Sequence, residues 1–239
     1  MTELLAHLDS YLKEFPAAVV ALHPEDNAVA LDRTAFYPGG GGQPNDTGLL
    51  LLEGRALPVV KVKRQGQHIW HWVEGDLPAV GNTVQGRIDW ERRYRLMRVH
   101  TALHILCGVV WRDYGAQVTG GNMEPLKGRM DFEFETLRRE LVKEIETKIN
   151  AEVEAARDVR VKILPREEAF QIPDLIRTKI NLLPAGITEV RVVEIDGLDL
   201  QADGGTHVAN TREVGHITVS GYKSKGRINK RIRIELSEA

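Results

Sequence analysis

An α+β architecture in two unequal parts is predicted by three observations. Short β-prone runs punctuated by Gly, Pro, Asn and Asp fill residues 17–85, the pattern switches to helical spacing near Ile88, and helical and strand-like segments then alternate to the C-terminus. The expected organisation is a small N-terminal β-barrel-like domain over 1–88 with a glycine-rich motif, then a larger α+β domain over 89–239.

The first domain is read from five runs: Ala17 to Leu22, Ala28 to Leu31, Gly48 to Leu52, Leu57 to Val62 and His68 to Val73. From Ile88 onward Trp90, Tyr94, Met97, Thr101, Leu103 and Leu106 recur at helical spacing, with Gly108 and Gly115 as the first breakers. A second helix is expected over Thr136 to Asp158, because Leu141, Ile145, Ile149 and Val153 step by four along one side. Strands are expected at Arg129–Phe134, Val159–Ile163 and Thr188–Ile195, and as a final pair Gly215–Tyr222 and Asn229–Leu236 around a turn with Ser224-Lys225-Gly226.

Composition narrows the function classes. The 239 residues are 42% hydrophobic and 28% charged, as in a folded globular protein. A formal net charge of −2 means that an anionic polymer must be held by a local basic patch, since the overall field does not attract it. The single cysteine, Cys107, excludes an intramolecular disulfide framework and fits a reducing compartment. The N-terminal residues lack a signal-peptide pattern and no apolar run is long enough to cross a bilayer. A cytoplasmic location without membrane contact, and no obligate protein partner, are the expectations.

Two clusters bear on chemistry. His100-Thr101-Ala102-Leu103-His104 places two imidazoles four residues apart, on one face of a helix, where they can share a metal ion or simply pack as a pair. Zinc metalloproteases use the same spacing but follow the first histidine with a glutamate, and here Thr101 stands in that place. Asp203-Gly204-Gly205-Thr206-His207 offers a carboxylate and a third imidazole across a Gly-Gly turn, or else an ordinary β-turn with a solvated Asp. Together they supply four candidate ligands.

In that order, with Thr34-Ala35-Phe36-Tyr37-Pro38-Gly39-Gly40-Gly41-Gly42-Gln43 and Asp46-Thr47-Gly48 upstream, these motifs resemble the editing domain of alanyl-tRNA synthetase and the free-standing alanyl-tRNA editing proteins of the AlaX type. The resemblance spans roughly residues 15–236 and leaves no room for an aminoacylation domain. It implies a hydrolase that deacylates mischarged tRNA(Ala), Ser-tRNA(Ala) first and Gly-tRNA(Ala) second, with one Zn2+ per chain. The family's cysteine is replaced by Asp203, which leaves three imidazoles and one oxygen, a set open to other divalent ions as well.

The expected roles follow residue by residue. His100, His104, Asp203 and His207 are the metal ligands. Gln43 contacts substrate or water, and Gly39, Gly40, Gly41 and Gly42 let the backbone approach the RNA end. Because an apolar pocket separates alanine from serine poorly, a hydroxyl-reading side chain is needed. The resemblance suggests Thr119, with Thr34 and Thr206 as other candidates. Arg92 and Arg98, in a cluster with Arg93 and Arg95, and Lys223, Lys225, Arg227, Lys230 and Arg231 in the final hairpin are the candidate phosphate contacts, or solvated faces of a helix and an edge strand. Two alternatives stand beside this reading: an editing hydrolase for Ser-tRNA(Thr), and a non-catalytic tRNA-binding module.

Overall fold

The computed structural model describes residues 1–176 and 186–238, and these divide into two compact units, Met1–Arg95 and Leu96–Ala239. The first begins with β1 (Glu3–Leu4), β2 (Glu14–His23), β3 (Ala28–Leu31) and β4 (Arg33–Thr34), and continues with β5 (Gly48–Leu52), β6 (Arg55–Gln65), β7 (His68–Val73) and β8 (Thr83–Ile88). Six of these close into a barrel in the order β2-β3-β7-β6-β5-β8, while β1 and β4 pair in parallel beside it.

Alternation explains the closure. On β7, Ile69, His71 and Val73 point inward while His68, Trp70 and Trp72 face out, where the Lys61 ammonium sits 4.3 Å from the Trp72 ring. The barrel interior is filled by Phe15, Val19, Leu31, Phe36, Leu50, Val62 and their neighbours. Phe15 lies flat on β8, and a Cβ at Gly86 would come 2.3 Å from its ring, so only glycine admits that close approach.

A 25-residue helix, α1 (Trp90–Tyr114), follows. Every residue from Leu96 to Val110 is buried, so this stretch is a central core helix with no wet face. The second unit adds β9 (Val118–Glu124), β10 (Lys127–Glu133), α2 (Arg139–Glu154), β11 (Val159–Pro165), the short α3 (Arg166–Ala169), β12 (Glu189–Ile195), β13 (Asp199–Ala202), β14 (Ile217–Ser224) and β15 (Asn229–Leu236). Its sheets are β14-β15-β10-β9 and β11-β12-β13. β10 packs on α1 at Gly128, where a Cβ would lie 3.0 Å from Leu103 and 3.1 Å from Val99. α2 completes β14: Asn150 bonds both backbone groups of Ile217, and the Glu146 carboxylate accepts from the Val219 amide at 2.7 Å.

The α+β class and the N-terminal barrel are as the sequence predicts. Five strands were not anticipated: Glu3–Leu4, Arg33–Thr34, Thr83–Ile88, Val118–Glu124 and Asp199–Ala202. Gly108 does not end α1, and α2 is shorter than expected, with Val142 buried in place of Leu141. Among the described residues no helix is long and apolar enough to cross a membrane.

Candidate metal centre

α1 carries His100 and His104 one turn apart, and the segment after β13 brings Asp203 and His207 to them. The imidazole centroids are 5.2 Å (His100–His104), 4.2 Å (His100–His207) and 4.6 Å (His104–His207) apart. One donor atom from each of the four residues lies within 4.8 Å of all the others. Two edges, Asp203 to His207 Nε2 at 3.0 Å and to His100 Nε2 at 3.6 Å, bracket the roughly 3.3 Å edge of a tetrahedron with 2.0–2.1 Å bonds. The donor set therefore fits one divalent ion of the zinc type.

Each imidazole is also held from behind. His104 Nδ1 donates to Asp199 Oδ2 at 3.0 Å, and the same oxygen accepts from the Gln201 amide at 2.7 Å. His207 Nδ1 lies 3.2 Å from Thr101 Oγ1, which also accepts the Val208 amide. His100 is hydrogen-bonded to the Thr206 backbone. On His104 and His207, the ring atom held from behind is Nδ1, so Nε2 is the atom that faces the cluster. Asp203 is fixed by the Gly205 amide, which donates to its Oδ2 at 2.6 Å, and by Arg191, which bonds its carbonyl at 2.8 Å.

The electrostatics suit a cation. Burial lowers the His100 pKa to about 4, partly offset by the charge of Asp203. Burial likewise holds His207 well below the usual histidine range, so both rings keep their lone pairs at neutral pH. Burial works against the Asp203 carboxylate, but His100 and His207 prevail and hold it well below the usual carboxylate range. At His104 burial opposes protonation, yet the hydrogen bond and charge of Asp199 outweigh it and raise the pKa. The Asp203 carboxylate thus favours positive charge at a place where His100 and His207 resist carrying it.

Two family models match the chain: class II (A) tRNA synthetases over residues 4–92, and the threonyl and alanyl tRNA synthetase second additional domain over 190–233, which contains Asp203 and His207. The alanyl-tRNA editing protein AlaX-M of Saccharolobus solfataricus is 43% identical over 236 residues, 97% of this chain and 98% of its own length. The AlaX-M of Methanosarcina mazei is 40% identical over 99% of this chain and 97% of its own. The chain belongs to the AlaX-M family of alanyl-tRNA editing proteins. An alanine–tRNA ligase of Ignicoccus hospitalis is 41% identical over 91% of this chain, but over only 24% of the ligase.

Gly39, Gly40, Gly41 and Gly42 all take positive φ, and Gly40 and Gln43 exchange both backbone hydrogen bonds across the resulting turn. Gln43 is buried, not held out on a polar loop. Thr34 is a barrel-core residue on His71 Nε2 at 2.9 Å, and Thr119 is exposed, donating to Asn229 at 3.1 Å. Thr206 is fully buried beside His207.

The basic residues divide by exposure. Arg98 is buried and donates to the carbonyls of Val214 and Ser237, which removes it from any phosphate-facing surface. Arg93 is fully buried on Asp46, while half-buried Arg92 bonds the Asn45 carbonyl at 3.2 Å. In the hairpin, Lys230 is buried and tethers the turn through the Gly226 and Arg227 carbonyls, and Arg231 forms a bidentate pair with Asp131. Lys223, Lys225 and Arg227 remain exposed. Cys107 is buried and lies outside the four-donor group. Asp199, which bonds His104 from 95 residues away, Gln201, which bonds Asp199, and Arg191, which bonds the Asp203 carbonyl, are further residues around the site that carry no local spacing signal.

Proposed function

We propose that this chain is a trans-editing hydrolase that deacylates mischarged tRNA(Ala), with Ser-tRNA(Ala) as the principal substrate and Gly-tRNA(Ala) as a second. The observation that carries the reading is the convergence of His100, His104, Asp203 and His207 in a chain that matches alanyl-tRNA editing proteins end to end. Those four side chains would hold one Zn2+ or a similar divalent ion. When bound, such an ion supplies Lewis acidity and a fixed positive charge beside the ester.

The ester is already activated, so the remaining task is to orient water and to stabilise developing negative charge in a dry setting. Burial of the three imidazoles keeps bulk water from them, and their partners on the outer side fix the ring planes. The glycine run and Gln43 are assigned to the RNA end, and exposed Lys223, Lys225 and Arg227 to phosphates, in a cytosolic reaction on charged tRNA. A site that hydrogen-bonds the serine hydroxyl rejects alanine because its partner is then left unpaired. The threonine responsible is tested at Thr206, fully buried beside His207, and at Thr119, to which the family resemblance points.

One observation favours a second reading, a metal-free tRNA-binding module. Asp203 meets His207 at hydrogen-bonding distance, 3.0 Å, so the carboxylate can tie the cluster together without an ion. The test is deacylation of seryl-, glycyl- and alanyl-tRNA(Ala) and seryl-tRNA(Thr) by the purified protein, with metal content measured on the same sample. Selective loss of the seryl and glycyl esters of tRNA(Ala) supports the hydrolase. Binding of tRNA with neither cleavage nor metal supports the module, and cleavage of seryl-tRNA(Thr) alone reassigns the substrate.

A further inference from the structure

Asp199 stands outside the four-donor group, yet it is buried and its Oδ2 lies 3.0 Å from His104 Nδ1. Nothing about its position is accidental in packing terms. It opens β13 directly against α1, and the approach is so close that a Cβ at Gly108 would fall 2.9 Å from Leu198 Cγ, 3.1 Å from its carbonyl and 3.2 Å from Asp199 Cβ. Glycine one turn beyond His104 is what lets the strand end come within reach of the ring. Gln201, two residues along β13, donates its amide to the same carboxylate oxygen at 2.7 Å, so the acceptor is itself oriented.

We propose that Asp199 is a positioning residue for the metal centre: it holds His104 in the tautomer with the proton on Nδ1 and the lone pair on Nε2, aimed at the ion. The inference rests on reading the four side chains as a metal centre. A neutral imidazole carries one ring proton, so fixing it on Nδ1 decides which nitrogen is free to ligate. The carboxylate also makes the ring a stronger donor and removes rotational freedom that binding would otherwise have to freeze. His104 is the imidazole for which this matters most, because the partners of the other two are a hydroxyl and a backbone group. The Thr101 hydroxyl can donate or accept and so leaves the His207 tautomer open, whereas the buried Asp199 carboxylate accepts only and brings a negative charge that a backbone group lacks.

The test compares Zn2+ and Co2+ affinity of the full-length wild type, Asp199→Asn and His100→Ala by competition with a chromophoric chelator. The Co2+ absorption spectrum and the melting temperature of the chelated proteins are recorded alongside. The expected result is a 10- to 100-fold loss of affinity and an altered Co2+ spectrum in Asp199→Asn, with chelated melting close to wild type. Unchanged affinity in a folded Asp199→Asn, beside a metal-binding wild type, overturns the proposal and leaves the metal centre standing. A wild type that takes up neither ion overturns both, which separates the two failures. If Asp199→Asn does not fold, the nitrogen NMR signals of His104 in the Zn2+-loaded wild type decide: a protonated Nδ1 upholds the proposal, and a protonated Nε2 refutes it.

Discussion

Arg93 and Asp46 form a fully buried pair in which the guanidinium reaches both carboxylate oxygens and also bonds the carbonyls of Ser10 and Ala35. Asp46 in turn accepts the Tyr37 amide at 2.6 Å, so one carboxylate anchors both ends of the glycine-rich turn. The expected effect of Arg93→Met is a loss of about 3–5 kcal/mol in the stability of the first unit, because it strands a buried charge. Arg93→Met with Asp46→Asn should recover part of that loss. Denaturant unfolding of the single and double variants measures the coupling; purely additive losses would contradict it.

His71 predicts a pH dependence. It is completely buried in the barrel between the Thr34 hydroxyl and the Val29 carbonyl, and burial lowers its pKa to about 4 despite hydrogen bonds to the backbone of Val29 and Ile69. The unfolded chain binds the proton near pH 6.5 and the folded one resists it until about 4. The stabilisation is therefore complete above 6.5 and lost as pH falls through that window, at ~1.4 kcal/mol per pH unit and on the order of 3 kcal/mol in all. His100 and His207 titrate in the same direction, so the contribution is isolated as the difference between wild type and His71→Asn unfolded at pH 7 and pH 4.5. An equal pH dependence in both would contradict it.

Gly108→Ala inserts a methyl group into the contact between α1 and the start of β13, against Leu198 and the Cβ of Asp199. Overpacking of this kind costs about 1–3 kcal/mol. The variant should melt lower, and because the methyl pushes on Leu198 and Asp199 it should also weaken metal binding. Lower melting with wild-type metal affinity would show that the close approach serves packing alone.

The final hairpin separates binding from stability. Lys223→Ala, Lys225→Ala and Arg227→Ala remove exposed cations, so each should weaken tRNA binding and reduce the dependence of log K on log salt by up to about 1. Lys230→Ala should lower the melting temperature, since its ammonium satisfies two turn carbonyls. If the three exposed variants bind with an unchanged salt slope, the hairpin is a solvated edge.

How much of this was legible in the sequence depends on distance along the chain. His100 and His104 were found because helical geometry converts a spacing of four into a shared face, and Asp203 and His207 because a Gly-Gly turn flags a close approach. Asp199 lies 95 residues from His104, and no local period reports such a pair. Arg98 was placed on the surface because cations usually are, but its helix is buried all round and its charge is satisfied by carbonyls. The missed strand Val118–Glu124 holds two glycines and no apolar alternation, and owes its form to pairing with β10. Gly108 looked like a breaker because the neighbour that requires it, Leu198, comes from a distant strand.

The most direct measurement is the rate of seryl-tRNA(Ala) deacylation as chelated protein is titrated with Zn2+, with His100→Ala in parallel. The account predicts no activity without metal, a rise that saturates near one equivalent per chain, and an inactive His100→Ala at every ratio. Full activity in the chelated protein, or an active His100→Ala, would contradict it.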